Sequence, residues 1–235
     1  MHFNAKGIIV ALALLALYGC GGGGGGETTQ ATQSGTFINS PTKGIKYTSL
    51  PSGLNGTTDE DGAFKYKTGD TVSFILDLGG EMIPIGSTTN PSASTSVLSL
   101  VVPNGGDPFV VAQVLETLDK SSVDGKMDVS GIALTSGPTL AAIKHALSSA
   151  NISSTDISTI ANGIQSYLNS VGLGSLKYGT SGVSLNEALT NLSKNKANQS
   201  LLETKIQALS YDGISTILDL RNKPAFTTWI IKSVT

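Results

Sequence analysis

The sequence predicts an α+β fold: a small antiparallel β-sandwich, then an α-helical bundle, then a C-terminal β-strand. Three observations lead there. Apolar residues alternate with a period of two between Ile45 and Leu76. Gly, Asn and Asp punctuate those runs at short intervals. From Asp107 onward the apolar period becomes 3.6, with helix-start residues ahead of each stripe.

The β module is assigned to residues 35–86. Its strands carry Ile45 and Tyr47, Phe64 and Tyr66, then Val72, Phe74 and Leu76. Turns are expected at Pro51-Ser52-Gly53, Asn55-Gly56, Asp61-Gly62 and Thr68-Gly69-Asp70. Such short strands suit a small sandwich. Residues 87–106 are rich in Ser, Thr, Asn, Pro and Gly and read as a linker, with one packed segment over 97–102.

The helical bundle is assigned to residues 107–209. Asp107-Pro108 starts the first helix as N-cap and first helical residue, and Val111, Val114, Leu115 and Leu118 form its apolar face. Pro138 opens the second, with Leu140, Ile143, Leu147 and Ala150 inward. Ser153 and Asp156 cap the third, which carries Ile157, Ile160, Ile164, Leu168 and Val171 and ends at Gly172. Ser184 and Glu187 cap the fourth, with Leu185, Leu189, Leu192, Leu202, Ile206 and Leu209 on one stripe interrupted near Asn195–Ser200. Four amphipathic helices can share one core. In the segment 210–235, Pro224 stops any helix, and Thr227, Trp229 and Ile231 would share one face of a terminal strand.

Residues 1–19 read as an export signal. Lys6 supplies the positive charge, and Gly7 to Leu17 make an apolar run of eleven residues. A bilayer span needs about 20. The run ends at Leu17-Tyr18-Gly19-Cys20, which resembles a bacterial lipobox. That resemblance implies cleavage before Cys20 and acylation of its thiol. Gly21 to Gly26 and then Glu27 to Ser34 make the rest of a tether over 20–34. About 14 flexible residues reach roughly 20 Å. Gly21 is not the aspartate that resembles an inner-membrane retention signal, so the outer membrane is implied.

The stretch Gly56-Thr57-Thr58-Asp59-Glu60-Asp61-Gly62-Ala63-Phe64-Lys65-Tyr66 resembles the hairpin of transthyretin-like, carboxypeptidase-regulatory-like modules. Gly56 and Gly62 match its glycines, and Phe64 and Tyr66 its core aromatics. A longer similarity, over residues 35 to about 135, is to the N-terminal module of proteobacterial surface lipoproteins and adhesin-like proteins. Ser96 to Leu100 and Ala112 to Asp119 match its later segments. Asn39 stands where that group usually has Asp, and Thr42-Lys43 where it has a small pair. The resemblance carries no catalytic residues.

Catalytic and metal-binding patterns are sparse. Net charge is −2, against a broad nucleic-acid footprint. One cysteine excludes an internal disulfide or a cysteine-cluster metal site. No G-x-S-x-G elbow occurs. His145 lies roughly 140° around its helix from Leu140, on the solvent side. Ser40-x-x-Lys43 and Lys67-Thr68-Gly69 match penicillin-recognising motifs but fall in the β module, without S-D-N. Asp59, Glu60 and Asp61 read as a solvated hairpin tip. Asp119, Asp124 and Asp128 are weak calcium candidates whose spacing departs from an EF loop.

The expectation is therefore a non-enzymatic outer-membrane lipoprotein acting in surface interaction or adhesion. Its partners would be the membrane, through a palmitate-bearing Cys20, and an unidentified protein or glycan, with no cofactor and no nucleic acid. Two alternatives stay open. One is a periplasm-facing accessory lipoprotein that binds an apolar or glycan ligand between its helices. The other is a hydrolase using only Asp, Glu and Ser.

Overall fold

The computed structural model describes residues 30–202 and 204. The export signal, Cys20, the glycines behind it and the C-terminal strand lie outside the described residues, as do Ile206 and Leu209. The chain is mixed α+β.

An antiparallel sheet of four strands has the order β4-β3-β6-β7, made of β3 (Ile45–Leu50), β4 (Leu54–Thr57), β6 (Thr71–Leu78) and β7 (Glu81–Thr88). A three-stranded sheet has β1 (Gln33–Ile38) between β5 (Ala63–Tyr66) and β8 (Ser94–Ser96). Alternation fixes which face of each strand is buried. Ile45 and Tyr47, Phe64 and Tyr66, and Val72, Phe74, Leu76 and Leu78 all point inward. Aromatic rings from the two sheets meet there. Phe74 lies 4.6 Å from Phe37 and 5.1 Å from Phe64, edge-on to the latter. Tyr47 meets Phe64 at 5.9 Å. These offset and edge geometries are the ones aromatic quadrupoles favour.

Two carboxylates, Asp70 buried and Asp59 exposed, set the turns. The Asp70 carboxylate accepts from the Ser49 and Ser52 hydroxyls, both at 2.6 Å, and from the amides of Ser52 at 3.1 Å and Lys67 at 2.7 Å. Burial raises its pKa, but those hydrogen bonds outweigh burial and hold it down to about 2. At the hairpin tip, Asp59 Oδ1 accepts from the Asp61 and Ala63 amides. Gly62 follows at φ +69°, and a Cβ there would stand 2.8 Å from Phe37 O and Thr42 N. Both the positive φ and the close backbone demand glycine. The tip is not simply solvated: Glu60 pairs with Lys43 at 3.2 Å and Asp61 with Lys126 at 2.7 Å. Both acids are well exposed, so these pairs contribute little stability.

The helices start where their caps lie. For α1 (Pro108–Thr117) the Asp107 carboxylate accepts from Phe109 N, and Pro108 occupies the first turn. α2 (Pro138–Leu147) follows Gly137. Ser153 caps α3 (Ser154–Val171), which stops at left-handed Gly172. Ser184 caps α4 (Leu185–Lys194), and after a bend at Asn195 residues 196–202 are helical again. Within α3, a Cβ on Gly163 would collide with the Thr139 side chain, so α2 and α3 approach closely there. Three stripe assignments fail at helix ends, one of them Leu185, which is 36% exposed in the first turn of α4. α2 closes at Leu147 and leaves Ala150 exposed, and Val171 is 48% exposed just before the Gly172 cap.

Two features depart from the expected antiparallel pattern. β8 pairs parallel with β1, and β9 (Met127–Asp128) pairs parallel with β2 (Thr42–Lys43). Parallel partners need a long crossover, and for β2 and β9 that crossover includes α1. The 87–106 stretch contributes β8 and buries Val97, Leu98 and Leu100. One apolar core runs from Phe37 through Leu115 to Leu189.

Substitution at the hairpin tests this arrangement. Phe64→Ala should cost about 3–5 kcal/mol by emptying a buried ring site. Gly62→Val should cost about 2 kcal/mol or more by turn strain and backbone collision. Urea titration reads both; a wild-type midpoint in either variant would contradict the assigned turn or core face.

Candidate functional site

A cavity of about 630 Å³ opens where the C-terminal turn of α1 meets α4. Glu116 and Asp119 come from the end of α1, Lys177 and Tyr178 from the segment after α3, and Asn191 from α4. Ser40, Asp124, Lys126 and Lys194 to Lys196 border it.

The floor is a hydrogen-bonded cluster. The Asn191 amide donates to Glu116 Oε2 at 2.7 Å and to the Tyr178 hydroxyl at 2.9 Å. Lys194 Nζ donates to Asn191 Oδ1 at 2.8 Å. Glu116 is 3% exposed. Burial drives its pKa up to about 8, against the Asn191 hydrogen bond, and Asp119 adds repulsion. The carboxyl is therefore largely protonated at neutral pH. Tyr178 is pushed up to about 12, first by burial and then by the two carboxyl groups.

Asp119 closes the loop beside this cluster. Its Oδ1 accepts from the Ser121 amide at 2.8 Å and the Asp128 amide at 2.9 Å, while its carbonyl accepts from Lys177 N. Burial raises its pKa, and the two amides only partly offset that. Asp128 turns away to Lys120, at 2.7 Å, and to Ser130. Burial works against its ionisation, but Lys120 and Ser130 hold its pKa below the ordinary value. Asp124 is fully exposed, 3.7 Å from Lys177. The three aspartates considered for calcium thus have separate tasks, and among the described residues no group of three acidic, His or Cys side chains could hold a metal ion.

The other singled-out residues lie elsewhere. Gly56 sits in β4 across from Tyr47, where a Cβ would touch the phenol ring at 3.0–3.2 Å. Phe64 and Tyr66 are core. His145 is exposed in the last turn of α2. Lys43 pairs with Glu60, while Lys67 and Thr68 form the turn before β6.

Sequence reasoning named Asp119 and Asp124 but missed Glu116, Lys177, Tyr178, Asn191, Lys194 and Lys196. These lie up to 80 positions apart (116 to 196) and make no motif. One signal was available. Glu116 lies between Leu115 and Leu118 in a helix apolar on nearly every side, and such a helix is buried together with its polar residues.

Burial shifts the pKa of both Glu116 and Asp119 upward, and one Asp119 oxygen is engaged by backbone amides. No family model matches the chain, and neither does any curated protein or solved structure.

The Glu116 shift has a stability consequence. The folded pKa of about 8 lies above the unfolded value of 4.5, so the unfolded chain releases its proton first. Stability should fall as pH rises from about 4.5 to 8, with a slope of at most about 1.4 kcal/mol per pH unit. Glu116→Gln keeps an acceptor for Asn191 and should flatten most of that slope in urea titrations at pH 5 and 8. Equal slopes in wild type and variant would show that Glu116 is ionised in the fold.

Proposed function

We propose that the chain is a lipid-anchored protein of the bacterial outer membrane that acts by binding a partner at the cell surface, without catalysis. The finer architecture belongs to the same proposal. The two sheets make a β-sandwich, the helices after it a bundle, and a terminal strand completes the fold. The observation that carries the reading is the order of features along the chain. An apolar run of eleven residues, the sole cysteine, six glycines and a polar stretch precede the first strand at Gln33. Acyl chains on Cys20 would hold the membrane, at roughly 0.8 kcal/mol per buried methylene. The glycines would let the folded part stand off from it. Among the described residues, no helix is long and apolar enough to cross a membrane. The periplasm-facing alternative keeps support from the cleft, whose polar lining favours a glycan over an apolar ligand.

Palmitate labelling tests the anchor. Wild-type protein should label and fractionate with outer membrane, while Cys20→Ala should stay unlabelled and unprocessed. Protease added to intact cells should cut within Glu27 to Ser34 and release the folded part, since exposed irregular chain is cut preferentially. Labelling of the Cys20→Ala protein would end the lipoprotein reading. Protection in intact cells, lost on permeabilisation, would replace surface display by the periplasmic role.

A further inference from the structure

We propose that the cleft between α1 and α4 binds an acidic sugar, a mono- or disaccharide unit bearing a carboxylate, with Lys177, Lys194 and Lys196 holding the charge. This deepens the binding reading above and rests on it.

The first ground is how the lysines are paired. Four lysines sit close on carboxylates: Lys46 on Asp77, Lys120 on Asp128 and Lys126, at the border of the cleft, on Asp61 at 2.7 Å, and Lys144 on Glu81 at 2.6 Å. Lys65 and Lys67 have no carboxylate within 4.0 Å among the described residues but do not line the cleft, whereas the three other lysines that line it are held loosely. Lys177 stands 3.9 Å from Asp119 and 3.7 Å from Asp124, beyond hydrogen-bond length. Lys194 reaches only the neutral amide oxygen of Asn191. Lys196 has no carboxylate within 4.0 Å among the described residues, and Lys194 and Lys196 are both exposed. Three loosely held ammonium groups converge on one concavity, and a carboxylate brought there would neutralise charge that the fold leaves open.

The second ground is the floor. Tyr178 supplies a half-buried ring and a hydroxyl, and Asn191 an amide. Glu116 supplies a buried carboxyl group, neutral until about pH 8. Uncharged donors and acceptors suit sugar hydroxyls, and an aromatic face suits the apolar side of a pyranose. The volume of about 630 Å³ falls within the usual range for small-ligand sites. The smaller neighbouring cavity, of about 280 Å³, is bordered by Lys43, Lys120 and Lys126, each already on a carboxylate.

Calorimetric titration of the acylated full chain in detergent micelles tests this at pH 6.5. The probes are a glucuronic acid–N-acetylglucosamine disaccharide, its neutral glucose counterpart and inorganic phosphate. The acidic disaccharide should bind at least tenfold more tightly than either of the others. The double variant Lys194→Glu, Lys196→Glu should weaken it at least tenfold while keeping the wild-type circular-dichroism melt. Three outcomes would overturn the proposal: equal binding of the acidic and neutral sugars, phosphate binding as tight as the acidic sugar, or unchanged affinity in the double variant. No heat from the acidic disaccharide at millimolar concentration would overturn it too. A failure here leaves palmitate labelling and protease release untouched, so it is distinguishable from failure of the anchored-binder reading.

Discussion

The rest of the structure depends on α1 having almost no solvent face. From Val110 to Leu118 every residue is buried. The apolar ones need company on all sides, and core residues of both sheets, α2, α3 and α4 join them in one cluster. The polar ones need partners, because a buried polar group left unpaired costs about 1–3 kcal/mol. Gln113 donates to Val183 O at 2.9 Å, Thr117 accepts from Val183 N at 3.2 Å, and Glu116 accepts from Asn191. All three partners come from the entry to α4 or from α4 itself, which fixes where that helix lies. A second polar seam locks the other side. Asn39 donates to Ala112 O, Asn198 donates to Asn39 O, and Ser96 donates to Asn198 Oδ1.

The cleft follows from that constraint. Glu116 occupies a position where an apolar residue would be more stable, and burial holds it neutral. Sites that violate the local preference of the fold are where function is sought. Here the violation sits under three loosely paired lysines and beside a tyrosine. The proposed anchor acts at the other end of the chain and independently, by setting the distance between this cleft and the lipid.

Much of the fold was legible in short-range chemistry. Asp107, Ser153 and Ser184 cap helices because a side-chain oxygen one residue ahead of a helix can reach a free amide, and that needs only local sequence. Ile45, Tyr47, Phe64, Tyr66, Val72, Phe74 and Leu76 are inward because strand alternation is local too. The parallel returns of β8 and β9 were not legible. Their short segments, three and two residues, carry too little pattern, and their pairing depends on where the chain returns, after β7 for β8 and after α1 for β9. Ala150 continued an apolar stripe past the end of α2, and Val171 closes α3 on its exposed side. The cleft was hidden too. Its residues are spread over four stretches that become neighbours only once α1 is buried, and of the three weak calcium candidates Asp119 is engaged by backbone amides, Asp128 by Lys120, and Asp124 is exposed beside Lys177.

If α1 is the common core of the sheets and the helices, the two halves cannot open separately. Native-state hydrogen exchange measures this amide by amide. Slowly exchanging amides of α1, of β6 and of the middle of α3 should share one opening free energy within about 1 kcal/mol, with the same denaturant dependence. A distinctly lower opening free energy for α2 and α3, with β3 and β6 still protected, would contradict the account and describe two independent folding units.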